Sequence, residues 1–258
     1  MMVKIFINVP KPGNSIRRNT ISRKREVGYP RAMFVIALLM EFLRPHKTIP
    51  ITPWRAQNRW DLSLSRVAIL FFGLFIFGIG DSLLIQSNFG NAPWSVLAQG
   101  LAKTFNSEIG LLTFLISAVV LLLWVPLKEK PGFGTISNIV IIAAAIQLGI
   151  DFIPPAENTL VGLIYVFAGI ALVGAGSSLY ITCGLGPGPR DGLMTAIHHK
   201  SGIRVGRVRL AIEGTVLVLG ALLGGHLGAG TALFALLIGQ SIAIFLGIVA
   251  RLTSNTSQ

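Results

Sequence analysis

Two short stretches, Asn88-Phe-Gly-Asn-Ala-Pro-Trp-Ser95 and Gly184-Leu-Gly-Pro-Gly-Pro-Arg-Asp191, decide how this chain folds. In each stretch a glycine, Gly90 or Gly186, stands three residues before a proline. The glycine permits a positive φ, and the proline suits the first turn of a helix, where its missing N–H costs nothing. Each stretch therefore predicts a sharp turn followed at once by a new helix.

The helices predicted to follow, Trp94–Thr104 and Arg190–Lys200, have about three turns each and are too short to cross a membrane. Unpaired N–H groups at helix starts favour an anionic group. If both are re-entrant half-helices with N-termini at a cavity, they predict substrate binding by Gly90, Pro93, Gly186, Gly188, Pro189, Arg190 and Asp191. The alternative is a pair of interfacial helices, in which Arg190 only adds cytoplasmic charge and Asp191 only complements the helix dipole.

Both stretches belong to an internal repeat, because the sequence aligns with itself at an offset of 96 residues without a gap. Matches of Leu or Ile in apolar helices mean little, so the glycines and prolines carry the alignment. The matched pairs include Gly73 with Gly169, Gly80 with Gly176, Gly90 with Gly186, Pro93 with Pro189, and Gly132 with Gly228. The chain is predicted to be a duplication.

The composition indicates an integral membrane protein of the all-α class. Of the 258 residues, 52% are hydrophobic and 12% are charged, about half the charged fraction of a soluble domain. That composition argues against a soluble enzyme. Long apolar stretches predict six membrane-spanning helices, at Val67–Gln86, Ile109–Leu127, Thr135–Phe152, Leu160–Ile181, Val208–Gly225 and Thr231–Ala250.

Each half of the duplication holds three predicted spans, an odd number, so the second half must enter the membrane from the opposite side. Two inverted three-helix repeats are expected, at residues 65–158 and 159–252, followed by a polar tail at 253–258. The cationic loops at Lys128, at Arg190–Arg207 and at Arg251 place the N- and C-termini in the cytoplasm of a plasma-membrane protein.

Residues 1–64 are predicted to be a basic cytoplasmic extension, either disordered or interfacial. Met1–Arg66 carries 13 of the 22 Lys and Arg residues and only three acids, although the net charge of the whole chain is +12. Anionic lipid headgroups are the expected partner of this tail, in addition to the bilayer itself. Nucleic acid is not expected, because the remaining body is hydrophobic and nearly neutral. The apolar run Ala32–Leu43 is too short to span and is interpreted as interfacial or as part of a disordered leader.

Ionisable groups inside the predicted spans are candidates for proton or ion coupling, because charges in lipid are costly and usually functional. Asp81 lies near the outer end of the first span, and Glu213 lies in the fifth. Arg209 precedes Glu213 by four residues, on the same helix face, so an ion pair with a purely structural role is the alternative for Glu213.

No pattern in the sequence predicts an enzyme, a cofactor or a metal site. His198 and His199 are adjacent, so their side chains point in different directions and a shared metal ion is not expected. The lone Cys183 is interpreted as a small helix-packing residue. Gly184–Gly188 is not followed by the Gly-Lys-Ser/Thr of a phosphate-binding loop.

The chain resembles the bacterial YczE/YyaS/YitT membrane proteins. The resemblance covers roughly Ser65–Leu252. It rests on Gly186-Pro-Gly-Pro-Arg-Asp-Gly-Leu-Met194, on Gly202, Val205, Arg209 and Glu213, and on the run Gly228–Gly239. It implies a multi-pass protein of the bacterial plasma membrane and brings no substrate with it. In the first repeat, Ser95 stands where related proteins often keep Asp.

The function expected from these features is secondary transport or export of a small solute, coupled to protons. The solute is anionic if the two short helices are re-entrant. The alternative is a membrane accessory protein that assists a partner enzyme or assembly, with its cationic tail and inner loop as the docking surface. Association of several copies into a homo-oligomer is left open by the sequence.

Overall fold

The computed structural model describes residues 43–46 and 48–254, so most of the basic extension, including nearly all of Ala32–Leu43, lies outside the described residues. The chain divides into two units between Leu43 and Arg44, and the second is described here. Its described residues form nine α-helices and no strand. The helices are α1 (Leu64–Gln86), α2 (Pro93–Phe105), α3 (Ile109–Leu122), α4 (Trp124–Leu127), α5 (Phe133–Phe152), α6 (Thr159–Cys183), α7 (Pro189–Ser201), α8 (Val205–Leu222) and α9 (Ala229–Ser254).

Five segments are long and apolar enough to cross a membrane, and they correspond to five of the six predicted spans. They are Leu64–Gln86, Ile109–Leu127, Phe133–Phe152, Thr159–Cys183 and Ala229–Thr253. Each exposes large aliphatic or aromatic side chains on one side, such as Phe72, Leu122 and Leu236. Such surfaces suit contact with lipid rather than with water.

The sixth predicted span, Val208–Gly225, corresponds to α8, which is helical but is not among these five. Its 18 residues include Arg207, Arg209 and Glu213, which lower its hydropathy. The outward-facing residues toward its C-terminal end, Val218 and Leu222, are apolar and exposed. The six-span arrangement therefore stays a prediction.

Helices α1 and α6 form the centre of the body, because glycines on both let their backbones approach closely. A Cβ added to Gly80 would lie 2.8 Å from the carbonyl O of Gly169, and one added to Gly73 would lie 3.0 Å from the carbonyl O of Gly176. These four glycines are the residues that the 96-residue offset matches. The offset of 96 residues converts the contact of Gly80 with Gly169 into the contact of Gly176 with Gly73, so the two contacts are equivalent in the repeat.

The outer helices pack on this centre through contacts that also recur at an offset of 96 residues. Helix α5 lies on α1, where Gly78 faces Ala145, and α9 lies on α6, where Gly174 faces Ser241. Helix α2 packs on α3 and α8, while α7 packs on α8 and α3.

The two halves differ in the packing of α3 on α5 in the first half and of the matching helices, α8 and α9, in the second. In the first half α3 packs on α5, and the backbone N–H of Gly110 donates to Oε1 of Gln147 at 3.0 Å. In the second half α8 makes at most minor contact with α9. A Cβ on Gly206, the residue that matches Gly110, would meet no described atom within 4 Å.

Residues 48–63 belong to the packed body and not to a separate tail. The hydroxyl of Thr52 donates to the carbonyl of Thr182 at 3.2 Å, and the backbone N–H of Ala56 donates to the carbonyl of Cys183 at 2.8 Å. The N–H of Gln57 donates to Asp61, and this bond, together with the neighbouring Arg66, holds the pKa of the Asp61 carboxyl below its usual range. The loop thus covers the C-terminal end of α6.

Candidate functional site

The two Gly–Pro turns adopt the predicted geometry. Gly90 and Gly186 have φ of +104° and +114°, values that favour glycine. The carbonyl before each glycine accepts a hydrogen bond from a second glycine-rich turn: Gly230 N–H donates to Phe89 at 2.7 Å, and Gly134 N–H donates to Leu185 at 2.9 Å. Helices α2 and α7 begin at the prolines three residues later and contain 13 residues each.

The N-terminal ends of α2 and α7 meet at one cavity of about 570 Å³. Helices α1, α3, α5, α6, α8 and α9 also contribute to its walls. This volume falls within the range of small-molecule binding sites, which is about 300–1,000 Å³. The two short helices, which are 96 residues apart in sequence, therefore contribute to one site.

Arg190 is the cation at the start of α7 in this cavity, and it lies against Trp94, its match in the repeat. The guanidinium carbon is 4.9 Å from the centre of the Trp94 ring, within the range of a cation–π interaction. Both side chains line the cavity. Trp94 thus holds the guanidinium over the face of its ring by a cation–π contact.

The starts of α2 and α7 have no side-chain cap. Their N-cap residues, Ala92 and Gly188, accept the first helical hydrogen bonds through their backbone carbonyls only, from Val96 and Gly192 at 2.9 Å each. The N–H groups of Trp94 and Ser95 in α2, and of Arg190 and Asp191 in α7, precede the first helical hydrogen bond of their helix and have no partner within it. Two helix dipoles and one guanidinium therefore favour negative charge at this cavity.

Asp81 is a buried anion on the same wall. It is 2% exposed, and its Oδ2 accepts a hydrogen bond from the Ser95 hydroxyl at 2.7 Å. Its other oxygen, Oδ1, has no hydrogen-bond partner among the described residues. An unpaired carboxylate oxygen in a buried setting is costly and marks a site where a donor or a proton is expected.

The second acid at the helix starts, Asp191, accepts a hydrogen bond from the Tyr180 hydroxyl at 2.9 Å. Ser95 matches Asp191 in the repeat, so the two helices present an alcohol and a carboxylate at equivalent places. Each is tied to one of the central helices, Ser95 to α1 and Asp191 to α6.

Arg209 and Glu213 form the predicted i,i+4 ion pair, with Nε and Oε1 2.9 Å apart. Both line the cavity where it faces the open side of α8. The Glu213 side chain is 24% exposed and that of Arg209 is 47% exposed, so the pair is accessible from the cavity. This pairing agrees with the structural alternative for Glu213, while a coupling role stays a prediction.

Of the residues predicted at the site, nine line the cavity: Asp81, Pro93, Gly186, Gly188, Pro189, Arg190, Asp191, Arg209 and Glu213. Gly90 is not part of the lining. It packs instead against the turn at Gly228, where a side chain would collide with backbone. Its place is in the turn that aims α2.

Sequence reasoning missed three aromatic residues of the site. Trp94 contacts the guanidinium of Arg190, and Tyr180 donates to the carboxylate of Asp191. Trp124 is 1% exposed and donates from Nε1 to the carbonyl of Pro189 at 3.0 Å. The sequence signal for them is that a buried Trp N–H or Tyr O–H usually has a hydrogen-bond partner. Which partner they find depends on helices distant in sequence.

Other candidates in the described part of the chain add no second site. Cys183 is buried, and its S–H points to the carbonyl of Leu179 at 3.3 Å. No group of three His, Cys, Asp or Glu side chains is placed to hold a metal ion among the described residues.

The five apolar helices define a multi-pass membrane protein. The chain belongs to a family of unknown function, DUF6198, whose model matches residues 64–247. It is 44% identical over 206 residues to an uncharacterized protein of Haemophilus influenzae, covering 80% of this chain and 94% of that one.

Two relatives from Bacillus subtilis confirm the YczE-like resemblance. The uncharacterized membrane protein YczE is 36% identical over 200 residues, which cover 73% of this chain and 93% of YczE. The uncharacterized protein YyaS is 29% identical over 183 residues, which cover 69% of this chain and 91% of YyaS. No solved structure matches the chain.

Proposed function

We propose that the protein is a secondary transporter of the plasma membrane that carries a small solute with an anionic group through the cavity at the starts of α2 and α7. The observation that carries the proposal is the placement of Arg190, with two uncapped helix starts, in one cavity between the helices. Broken or short helices whose N-termini face a central cavity are a common way for transporters to bind anionic groups.

The proposed architecture is two inverted three-helix repeats with α8 as the sixth span and both termini in the cytoplasm. The recurrence of glycine contacts at an offset of 96 residues supports it. In this arrangement α2 and α7 are re-entrant half-helices. The basic extension would lie at the cytoplasmic surface near anionic lipid headgroups.

The difference between the halves supports alternating access. Helix α3 is closed on α5, whereas α8 stands apart from α9, next to Arg209 and Glu213 of the cavity wall. Exchanging the conformations of the two repeats would close α8 on α9 and open α3 from α5. The cavity would then face the other side of the membrane.

Proton coupling is assigned to Asp81, with the Arg209–Glu213 pair as a gate at the open side. A proton on Oδ1 of Asp81 would remove the charge from a buried carboxyl whose Oδ1 has no described partner. Protonation of Asp81 would then be linked to occupation of the cavity, because the charge of this carboxyl and the bound anionic group share the same cavity.

The test is solute-driven proton movement in proteoliposomes that contain a pH-sensitive dye. Inorganic phosphate, lactate and leucine are added separately as probes. At least one is expected to move protons in the wild type, and Arg190→Gln and Asp81→Asn are expected to reduce the initial rate at least tenfold. The control is Arg207→Gln, which removes an exposed cation of α8 outside the cavity. Equal rates in Asp81→Asn and wild type would remove the proton-coupling proposal.

A further inference from the structure

Two of the charged groups that line the cavity, Arg190 and the buried carboxyl of Asp81, do not form an ion pair with each other. Arg55, Arg59, Asp191, Arg209 and Glu213 also line the cavity. The described residues form three ion pairs, Arg59–Glu129, Arg66–Asp61 and Arg209–Glu213. Arg190 and Asp81 are in none of them, so their charged atoms lie more than 4.0 Å apart. They are nevertheless close enough to interact electrostatically.

This spacing leaves a gap between two complementary charges inside a buried site. Asp81 offers Oδ1, which has no described partner, and Arg190 offers N–H donors on a guanidinium held over the ring of Trp94. An anion alone would satisfy Arg190 and leave Oδ1 of Asp81 unpaired. A cation alone would do the reverse. A ligand with both charges close together satisfies both groups at once.

The rest of the lining is mostly apolar. It includes the side chains of Phe77, Ile139, Ile142, Val173, Phe234 and Ile238, from four different helices. The two charged groups of an α-amino acid are separated by a single carbon, and its side chain leaves from that same carbon. A hydrophobic side chain would therefore extend along this apolar wall while the backbone charges occupy the gap.

We propose that the solute is an α-amino acid with an apolar side chain, whose carboxylate binds Arg190 and the α7 helix start and whose ammonium binds Oδ1 of Asp81. The proposal rests on the transport function proposed above and names the substrate class of that same cavity. The ammonium competes with the proton for Asp81, so binding of the amino acid releases a proton from that carboxylate.

The test is equilibrium binding to the purified full-length chain in lipid nanodiscs, measured by calorimetry. Three probes share one side chain: leucine, N-acetyl-leucine, which lacks the ammonium, and 3-methylbutylamine, which lacks the carboxylate. Leucine is expected to bind at least tenfold more tightly than either of the other two. Lysine and glutamate, with charged side chains, are expected to bind at least tenfold more weakly than leucine.

Single substitutions assign the two ends of the ligand. Asp81→Asn is expected to abolish the preference for leucine over N-acetyl-leucine, and Arg190→Gln the preference over 3-methylbutylamine. Arg190→Lys, which keeps the charge but not the fork of donors, is expected to retain part of that preference. Asp151→Asn and Arg207→Gln remove charges outside the cavity and are the matched controls. Thermal unfolding of each variant confirms that it is folded.

Two outcomes overturn the proposal. If N-acetyl-leucine binds as tightly as leucine, the cavity is an anion site and Asp81 does not bind the ligand. If leucine does not bind to folded wild-type protein, the substrate class is wrong. Neither outcome removes the transport function itself, because phosphate- or lactate-driven proton movement and its dependence on Arg190 are measured separately in proteoliposomes.

Discussion

At the scale of single residues, the position of Arg190 depends on how the first turn of α7 is held. Trp124 donates to the carbonyl of Pro189, and its ring lies directly against Gly192 one turn further on. Only a residue without Cβ allows the indole to approach this closely. The glycine therefore serves packing of the site, and its backbone needs no positive φ.

Replacing this glycine is expected to loosen the start of α7. In Gly192→Ala the new Cβ would overlap the six-membered ring of Trp124, which is buried and cannot move aside freely. Overpacking of this kind costs about 1–3 kcal/mol. A fall in the Tm of the purified protein and weaker ligand binding are the expected results.

The matched control for this change is Gly214→Ala, because a Cβ at Gly214 meets no described atom within 4 Å. That variant is expected to unfold at the wild-type temperature or slightly above, since alanine favours a helix more than glycine does. Equal Tm values for the Gly192 and Gly214 variants would mean that Trp124 does not pack as described.

At the scale of helices, α3 packs on α5, whereas α8 makes at most minor contact with α9. Gln147 receives the N–H of Gly110 across the closed pair. Ala243, the residue of α9 that matches Gln147, accepts the backbone N–H of His46 through its backbone carbonyl at 2.8 Å.

Closure of α8 on α9 is expected to bring Gly206 next to Ala243. Cysteines at these two positions, in a Cys183→Ala background, should become linked by a short bis-maleimide in membranes. The reaction should accumulate with time, because each visit to the closed state is trapped. Each single-cysteine variant is the control and should give no intramolecular product. Absence of the product, although both cysteines react with a simple maleimide, would argue against alternating access.

At the scale of the whole molecule, the charges of the loops predict how the body is oriented in the bilayer. Lys128 follows α4, and His199 lies near the end of α7. In the inverted arrangement both face the cytoplasm, whereas Glu157, between α5 and α6, faces outward. The positive-inside rule gives the physical reason, since Lys and Arg in short loops are retained on the cytoplasmic side.

Labelling of intact cells with a membrane-impermeant maleimide tests this orientation. Cysteines at positions 128 and 199, each in a Cys183→Ala background, are expected to react only after the membrane is permeabilised. A cysteine at position 157 is expected to react without permeabilisation. Reaction of positions 128 and 199 from opposite sides would exclude two inverted three-helix repeats.

Much of the fold was predictable because its signals are local. Five of the six predicted spans coincide with apolar helices to within a few residues, since length and hydropathy determine them. The starts of α2 and α7 follow from Pro93 and Pro189. The N-terminal boundary of the packed body was harder to predict from the sequence. Residues 48–63 have no long apolar run, and only their hydrogen bonds to α6 show that they are packed.

By itself the sequence determined the all-α membrane class, the ends of most helices and the equivalence of the two Gly–Pro turns, because apolar length, glycine and proline act within a few residues. Only the tertiary structure decided that Trp94 and Arg190 stack, that Asp81 keeps one oxygen without a described partner, and that α8 stands away from α9. These features depend on atoms from segments that lie far apart in the chain. Their distances are set by how whole helices pack, which no local pattern contains.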